Sequence, residues 1–226
     1  MFKRIMVIII ACLIICALTI VSIIAFNNDY KPTNKYVTKP QNALPFHNKT
    51  QGVTHVNGHV LVNRQIALPP SYKPGEDKVA KKQLKKLIKE SRKKHLDLMI
   101  TSGYRSYQDQ EKVVKSFEKK DGKAKTEKFA AKPGHSEHQT GLAFDVGTQK
   151  PMEDFHEDFE HTKEAKWLAK HASDYGFIIR YPKGQESETG YNYEPWHLRY
   201  VGPQLAKTID RKNTNLERYY HLMKKG

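Results

Sequence analysis

The run from Ile5 to Phe26 is apolar throughout, with Thr19 and Ser22 as mild interruptions and no charge. As a helix it would extend roughly 33 Å, about the thickness of a bilayer's hydrocarbon core. Lys3 and Arg4 precede it, so the expected topology leaves the N-terminus inside and carries the rest of the chain across the membrane. A cleaved signal peptide is the competing reading. Such peptides have an apolar core of about 7–15 residues and small residues at the cleavage site. Here the run is longer, and Ile23-Ile24-Ala25 makes a poor cleavage signal. The expectation is a retained single-pass anchor over residues 1–26, with everything beyond it extracytoplasmic.

That placement restricts the chemistry of the remainder. Both cysteines, Cys12 and Cys16, fall inside the apolar run. The exported part can then form no disulfide and offers no thiolate, so a metal site there must use His and carboxylate ligands. Apart from Lys3 and Arg4, the charges that make up the net +15 all lie in the same part. Lysine solvation accounts for much of it. Where it acts on a partner, the location points to an anionic cell-wall polymer or a membrane surface. Aromatic and basic residues do not interleave as they do on a base-stacking surface, so no nucleic-acid partner is expected.

Residues 27–57 are polar, carry Pro32, Pro40 and Pro45, and show no clear period, which predicts an extracytoplasmic spacer. A folded domain is expected over 58–226. His59 to Arg64 is a strand candidate. Helices are expected over 77–94, with Val79, Leu84, Leu87 and Ile88 near one face, and over 107–119 and 161–175. Strands are expected from Leu96, Leu142, Phe177 and Trp196. Loops are expected over 121–131 and 182–193, and a final helix with Thr214 and Glu217 as a capping box. Strands and helices alternate irregularly. The fold class expected is α+β, a small, mainly antiparallel sheet with flanking helices around a single metal site.

Three blocks bounded by Gly and Pro carry the chemistry: SGYRS from Ser102, PGHSEHQTGLAFDVG from Pro133 and EPWHLRYVG from Glu194. His138 on a loop feeding the strand of Asp145, with His197 from the last strand, gives two imidazoles and one carboxylate. Such a set leaves a coordination position open for water, whose pKa a metal ion lowers. Non-haem iron oxygenases use the same ligand types. Glu194 and the exported location favour hydrolysis by zinc. Glu194, three residues before His197, is the candidate proton carrier. Glu137 is its rival, disfavoured by a Gly-rich loop expected to turn it outward. Arg105 at a strand end suits bidentate recognition of a carboxylate or an oxyanion. Ser106, Gln110 and Ser136 can add neutral hydrogen bonds. His156 and His161 lie in an acidic stretch expected to be a solvated loop.

SGYRSYQDQ, PGHSEHQTGLAFDVG and YPKGQESETGYNYEPWHLRYVG resemble the VanY-like D-alanyl-D-alanine carboxypeptidases, zinc peptidases of bacterial cell-wall metabolism. The likeness runs from about Leu61 to Gly202. It implies an α+β fold with a small antiparallel sheet cradling one zinc ion, held by His138, Asp145 and His197. It implies Glu194 as catalytic base and Arg105 as the group that orients the substrate and stabilises its transition state. Ser136 and Gln110 would contact the terminal D-alanine. The expected activity is D,D-hydrolysis, releasing the terminal D-alanine from peptidoglycan stem peptides or precursors. The alternatives are an L,D-carboxypeptidase acting on tetrapeptides and a non-catalytic binder of wall peptides on the same fold.

Overall fold

The computed structural model describes residues 47–222 apart from positions 151 and 153. The expected anchor over 1–26 lies outside the described residues, and among those no helix is long and apolar enough to cross a membrane.

The described part is α+β. A three-stranded antiparallel sheet comes first: β1 (His47–Thr50), β2 (Val53–Val56) and β3 (His59–Val60). Residues 47–56 were expected to be spacer, yet they form β1 and β2, and Val53 and Val56 are buried. Asn57 and Gly58 both adopt positive φ (50° and 84°), the two-residue hairpin turn whose twist matches that of its flanking strands. This turn separates His55 on β2 from His59 on β3. β3 ends at Val60, short of the strand expected to Arg64.

The second sheet has four strands in the order β4 (Leu98–Ser102), β5 (Ala143–Thr148), β7 (His197–Tyr200), β6 (Phe177–Ile179), all neighbours antiparallel. One face carries Leu98, Phe144, Val146, Phe177 and Leu198 into the main core. Helix α1 (Lys78–Lys93) covers that core with Ala80, Leu84, Leu87 and Ile88, its first turn closed by Asp77 accepting from Ala80 N at 2.8 Å. Each buried leucine contributes about 1.5–3 kcal/mol. Val79, expected on the apolar face, is 45% exposed; Ala80 takes its place. Helix α5 (Lys163–His171) adds Ala165 and Leu168 and runs through a 3-10 turn (Ala172–Tyr175) to Gly176.

Helix α2 (Tyr107–Asp121) is followed by α3 (Lys123–Phe129), where a loop was expected. Short helices α4 (Phe155–Asp158) and α6 (Glu186–Thr189) interrupt two other loops. After β7 come α7 (Pro203–Arg211) and α8 (Leu216–Tyr219). Asn215 caps α8, accepting from Arg218 N at 2.8 Å, in place of the expected Thr214, and Glu217 turns inward.

Candidate metal centre and active site

The second face of the four-stranded sheet builds the site. Ser102 on β4, Asp145 on β5 and His197 on β7 stand in one row across three strands, because Ser102 pairs with Asp145 and Asp145 with His197. Directly paired residues project to the same side. His138 joins the row from a 3-10 turn (Glu137–Thr140) that leads into β5. The turn closes on Gly141, at φ 72°, where a Cβ would lie 2.0 Å from Gly75 O, so no side chain is tolerated there.

His138 Nε2 lies 3.0 Å from Asp145 Oδ2, and His197 Nδ1 lies 2.9 Å from Asp145 Oδ1. One ligand atom from each residue falls within 4.8 Å of the other two. The far side of each imidazole is also engaged. His138 Nδ1 is 2.8 Å from Gly103 O. A carbonyl only accepts, so Nδ1 carries the hydrogen and Nε2 presents its lone pair to the centre. His197 Nε2 is 3.5 Å from Glu137 Oε2, and neither atom has another hydrogen-bond partner. A carboxylate behind a ligating imidazole fixes which nitrogen faces the metal.

Glu137 is held in turn. Arg180 Nε and Arg199 Nη1 both donate to its Oε1 at 2.7 Å. Arg180 spends its other two nitrogens on Glu217 of α8, at 2.8 and 2.6 Å. Arg199 Nη2 donates to Val60 O at 2.6 Å. A chain of buried charges thus runs from the C-terminal helix to a metal-centre histidine. Burial opposes ionisation of Glu137, but Arg199 and Arg180 overcome it and hold its carboxyl far below the ordinary range. The expected outward direction of Glu137 is corrected: its side chain is buried. Its proton affinity is too low for the base role considered for it.

Glu194 is the opposite case. It is buried at the cavity wall with Oε2 3.9 Å from His197 Nδ1. Burial first, then the Asp145 and Glu137 charges, push it up to about 8, against the opposing pull of His197. Asp145 is held well below its usual range: burial opposes, and His138 and His197 win. Burial opposes ionisation of His197, but hydrogen bonds to Asp145 and Glu137 and the charges of Asp145 and Glu194 outweigh it and raise it to about 10. The cluster draws positive charge towards itself. Two imidazoles and a carboxylate with that demand fit zinc.

The centre opens into a cavity of about 440 Å³, of the size that takes a small peptide end. Trp196, Tyr181 and Tyr191 form part of its wall, and Tyr181 stacks on the His197 ring at 5.1 Å. His156, expected in a solvated loop, also lines it, 5.1 Å from the Trp196 ring. His161 stays outside, near Glu160. Arg105 reaches the cavity with Nη1 donating to Gln110 Oε1 at 2.7 Å and Nη2 to Ser102 Oγ at 2.9 Å. Gln110 Nε2 donates to Ala131 O, so Gln110 mainly aims Arg105. Ser136 is buried at the cavity wall, its hydroxyl accepting from His138 N at 3.3 Å. Ser106 does not line the cavity. Its hydroxyl caps α2, accepting from Asp109 N and donating to Asp109 Oδ2 at 2.6 Å.

The VanY family's sequence profile, described as D-alanyl-D-alanine carboxypeptidase, matches residues 75–203. The chain belongs to the VanY family. The Bacillus subtilis protein YodJ is 39% identical over 184 residues, covering 73% of this chain and 67% of YodJ. Among solved structures, the LD-carboxypeptidase LdcB aligns with a TM-score of 0.70 and 39% identity, covering 79% of this chain and 96% of that one. A point mutant of the vancomycin-resistance D,D-pentapeptidase VanY, in complex with Zn(II), aligns with a TM-score of 0.59 and 32% identity, covering 71% and 97%. Within this VanY-family chain, His138, Asp145, Glu194, His197 and Arg105 all fall inside the profile match, whereas Glu217 lies beyond it. Sequence reasoning missed the roles of Ser102, Tyr181, Arg180, Arg199 and Glu217. Arg199 on β7 and Arg180 just past β6 sit among apolar residues, the one signal that could have marked them as buried.

Proposed function

We propose that this VanY-family protein is a zinc-dependent carboxypeptidase that removes a C-terminal D-alanine from peptidoglycan stem peptides. The observation that carries the reading is the convergence of His138, Asp145 and His197, with Glu194 beside them, in a cavity whose wall includes Arg105. His138, Asp145 and His197 would hold the zinc. Bound there, zinc supplies Lewis acidity, polarising a water and the scissile carbonyl.

The chain's own residues do the rest. Arg105, steadied by Ser102 and Gln110, pairs with the substrate's terminal carboxylate and fixes the peptide end in the cavity. Glu194 takes a proton from the attacking water and returns it to the leaving amine. It lines the cavity with Oε2 3.9 Å from His197 Nδ1, which sets it beside the metal centre. Trp196 and Tyr181 wall the reaction off from bulk water. No side chain need form a covalent intermediate.

The resemblance of the motifs leads to an expectation of the D,D bond. The higher similarity to LdcB than to the D,D-pentapeptidase supports the L,D bond, and so a tetrapeptide substrate. Residues 5–26 would tether the domain to the outer face of the membrane, near its polymeric substrate.

Defined penta- and tetrapeptides incubated with the zinc-loaded protein, with products read by mass spectrometry, test this. Release of one D-alanine is expected, lost on chelation and on Glu194→Ala substitution. Cleavage of the tetrapeptide alone assigns the L,D bond, and of the pentapeptide alone the D,D bond. Peptide binding without any release would leave a binding protein instead.

A further inference from the structure

Beside the active-site cavity lies a second chamber of about 250 Å³ that shares Ala130, Ala131 and Tyr191 with it. Its charged lining is mostly basic: Arg64 and Lys132 stand against one acidic group, Glu127. Arg64 is built into place. Its guanidinium sits 4.5 Å over the Tyr191 ring, and Nη2 donates to Glu127 O at 2.8 Å. Gly190 leaves room for its stem; a Cβ there would come within 2.9 Å of Arg64 Cδ. An arginine steadied this way loses little entropy when it takes a further partner. Nη1 makes none of these contacts.

A chain of ring contacts links the chamber to the metal centre. Arg64 lies on Tyr191, Tyr191 on Tyr181 at 4.6 Å, and Tyr181 on His197 at 5.1 Å. Three such contacts separate the guanidinium from the metal-centre histidine by at most about 14 Å, a distance that roughly four extended residues span. Arg105 is already assigned to the terminal carboxylate. A second guanidinium a few residues further along the same path has no partner in that scheme.

We propose that the chamber is a substrate subsite for a second carboxylate, carried by the peptide upstream of the released residue and held by Arg64 with help from Lys132. The proposal rests on the carboxypeptidase reading for the direction of the peptide. It makes the chamber a specificity site that separates acidic stem peptides from their amidated counterparts.

The test uses the zinc-loaded full chain and two D-alanine-terminated peptides, identical except that one carries an upstream carboxylate and the other its carboxamide. Dissociation constants are measured by calorimetry in the Glu194→Ala background, and kcat/KM in the unsubstituted protein. The acidic peptide is expected to bind about ten-fold more tightly, the low end for a charge-assisted hydrogen bond. The preference should appear in KM rather than kcat. Arg64→Gln should bring the acid-to-amide ratio close to one. Should that variant fail to fold, Lys132→Gln, at an exposed position, should still lower the ratio.

A ratio near one in the unsubstituted protein overturns the proposal. So does a ratio that survives Arg64→Gln, because an arginine acting only as a strap would affect both peptides alike. If neither peptide is cleaved but the Arg64-dependent preference in binding persists, the carboxypeptidase reading fails and the subsite stands. If both are cleaved with equal efficiency, the reverse holds.

Discussion

Removing Glu217 should destabilise the fold far more than its place near the C-terminus implies. Its carboxylate takes two nitrogens of Arg180, at 2.6 and 2.8 Å, and both side chains are almost wholly buried. With Glu137 and Arg199 the cluster holds two cations and two anions. Glu217→Ala leaves two guanidiniums against one carboxylate, out of reach of water. Deleting one partner of a buried pair costs about 3–5 kcal/mol, a large share of the roughly 5–15 kcal/mol that holds a domain together. With a urea slope near 2 kcal/mol/M, the unfolding midpoint should fall by about 2 M. Lys112→Ala, which breaks an ion pair whose side chains are 78% and 54% exposed, should move it by under about 0.5 M. The double substitution Arg180→Met, Glu217→Met should recover part of the loss, because Glu137 keeps Arg199. Chelated protein should be used, so that the midpoint reports folding alone. If Glu217→Ala lowered the midpoint no more than Lys112→Ala does, the buried-charge argument would be refuted.

Gly141→Ala should lower the melting temperature sharply and weaken zinc retention, since the new methyl would collide with Gly75 O; calorimetry and metal analysis check both. Arg105→Lys should raise KM roughly ten-fold or more in steady-state peptide assays, because an ammonium cannot keep the paired hydrogen bonds to Ser102 and Gln110 while holding a carboxylate bidentately. His59 is lowered to about 3, by burial and then by Arg199. A depressed folded pKa favours the neutral ring, so its contribution is full above about pH 6.5 and declines as pH falls towards 3. His59→Gln should therefore lose less stability than the unsubstituted protein between pH 7 and pH 5, measured as a difference in urea midpoint. An equal or steeper loss would remove His59 from the acid response.

The parts of the site legible in the sequence were those whose chemistry is local. His138 and Asp145 sit on one turn-and-strand unit, and Glu194 and His197 are three residues apart, so their company could be read from spacing. Central strands and the helix expected over 77–94 followed from apolar runs and an apolar face. The supporting groups were not legible because their partners are remote: Glu137 meets Arg199 across 62 residues, and Arg180 meets Glu217 across 37. The β2–β3 hairpin did leave a local signal, Asn57-Gly58, but its strands are too short to stand out by alternation. The capping role of Ser106 was not legible because a helix cap and a ligand-binding hydroxyl look alike in sequence. Helix α3 has no apolar stripe to set it apart from a charged loop.

The direct pairing of Asp145 with His197 makes the metal centre a reporter of folding order. The two residues are 52 positions apart, and only the β5–β7 ladder brings their side chains together. A slip of one residue would turn one ligand to the opposite face. Metal capture during refolding should therefore begin when these two strands have found their register, giving a clock for the most distant pairing within the four-stranded sheet.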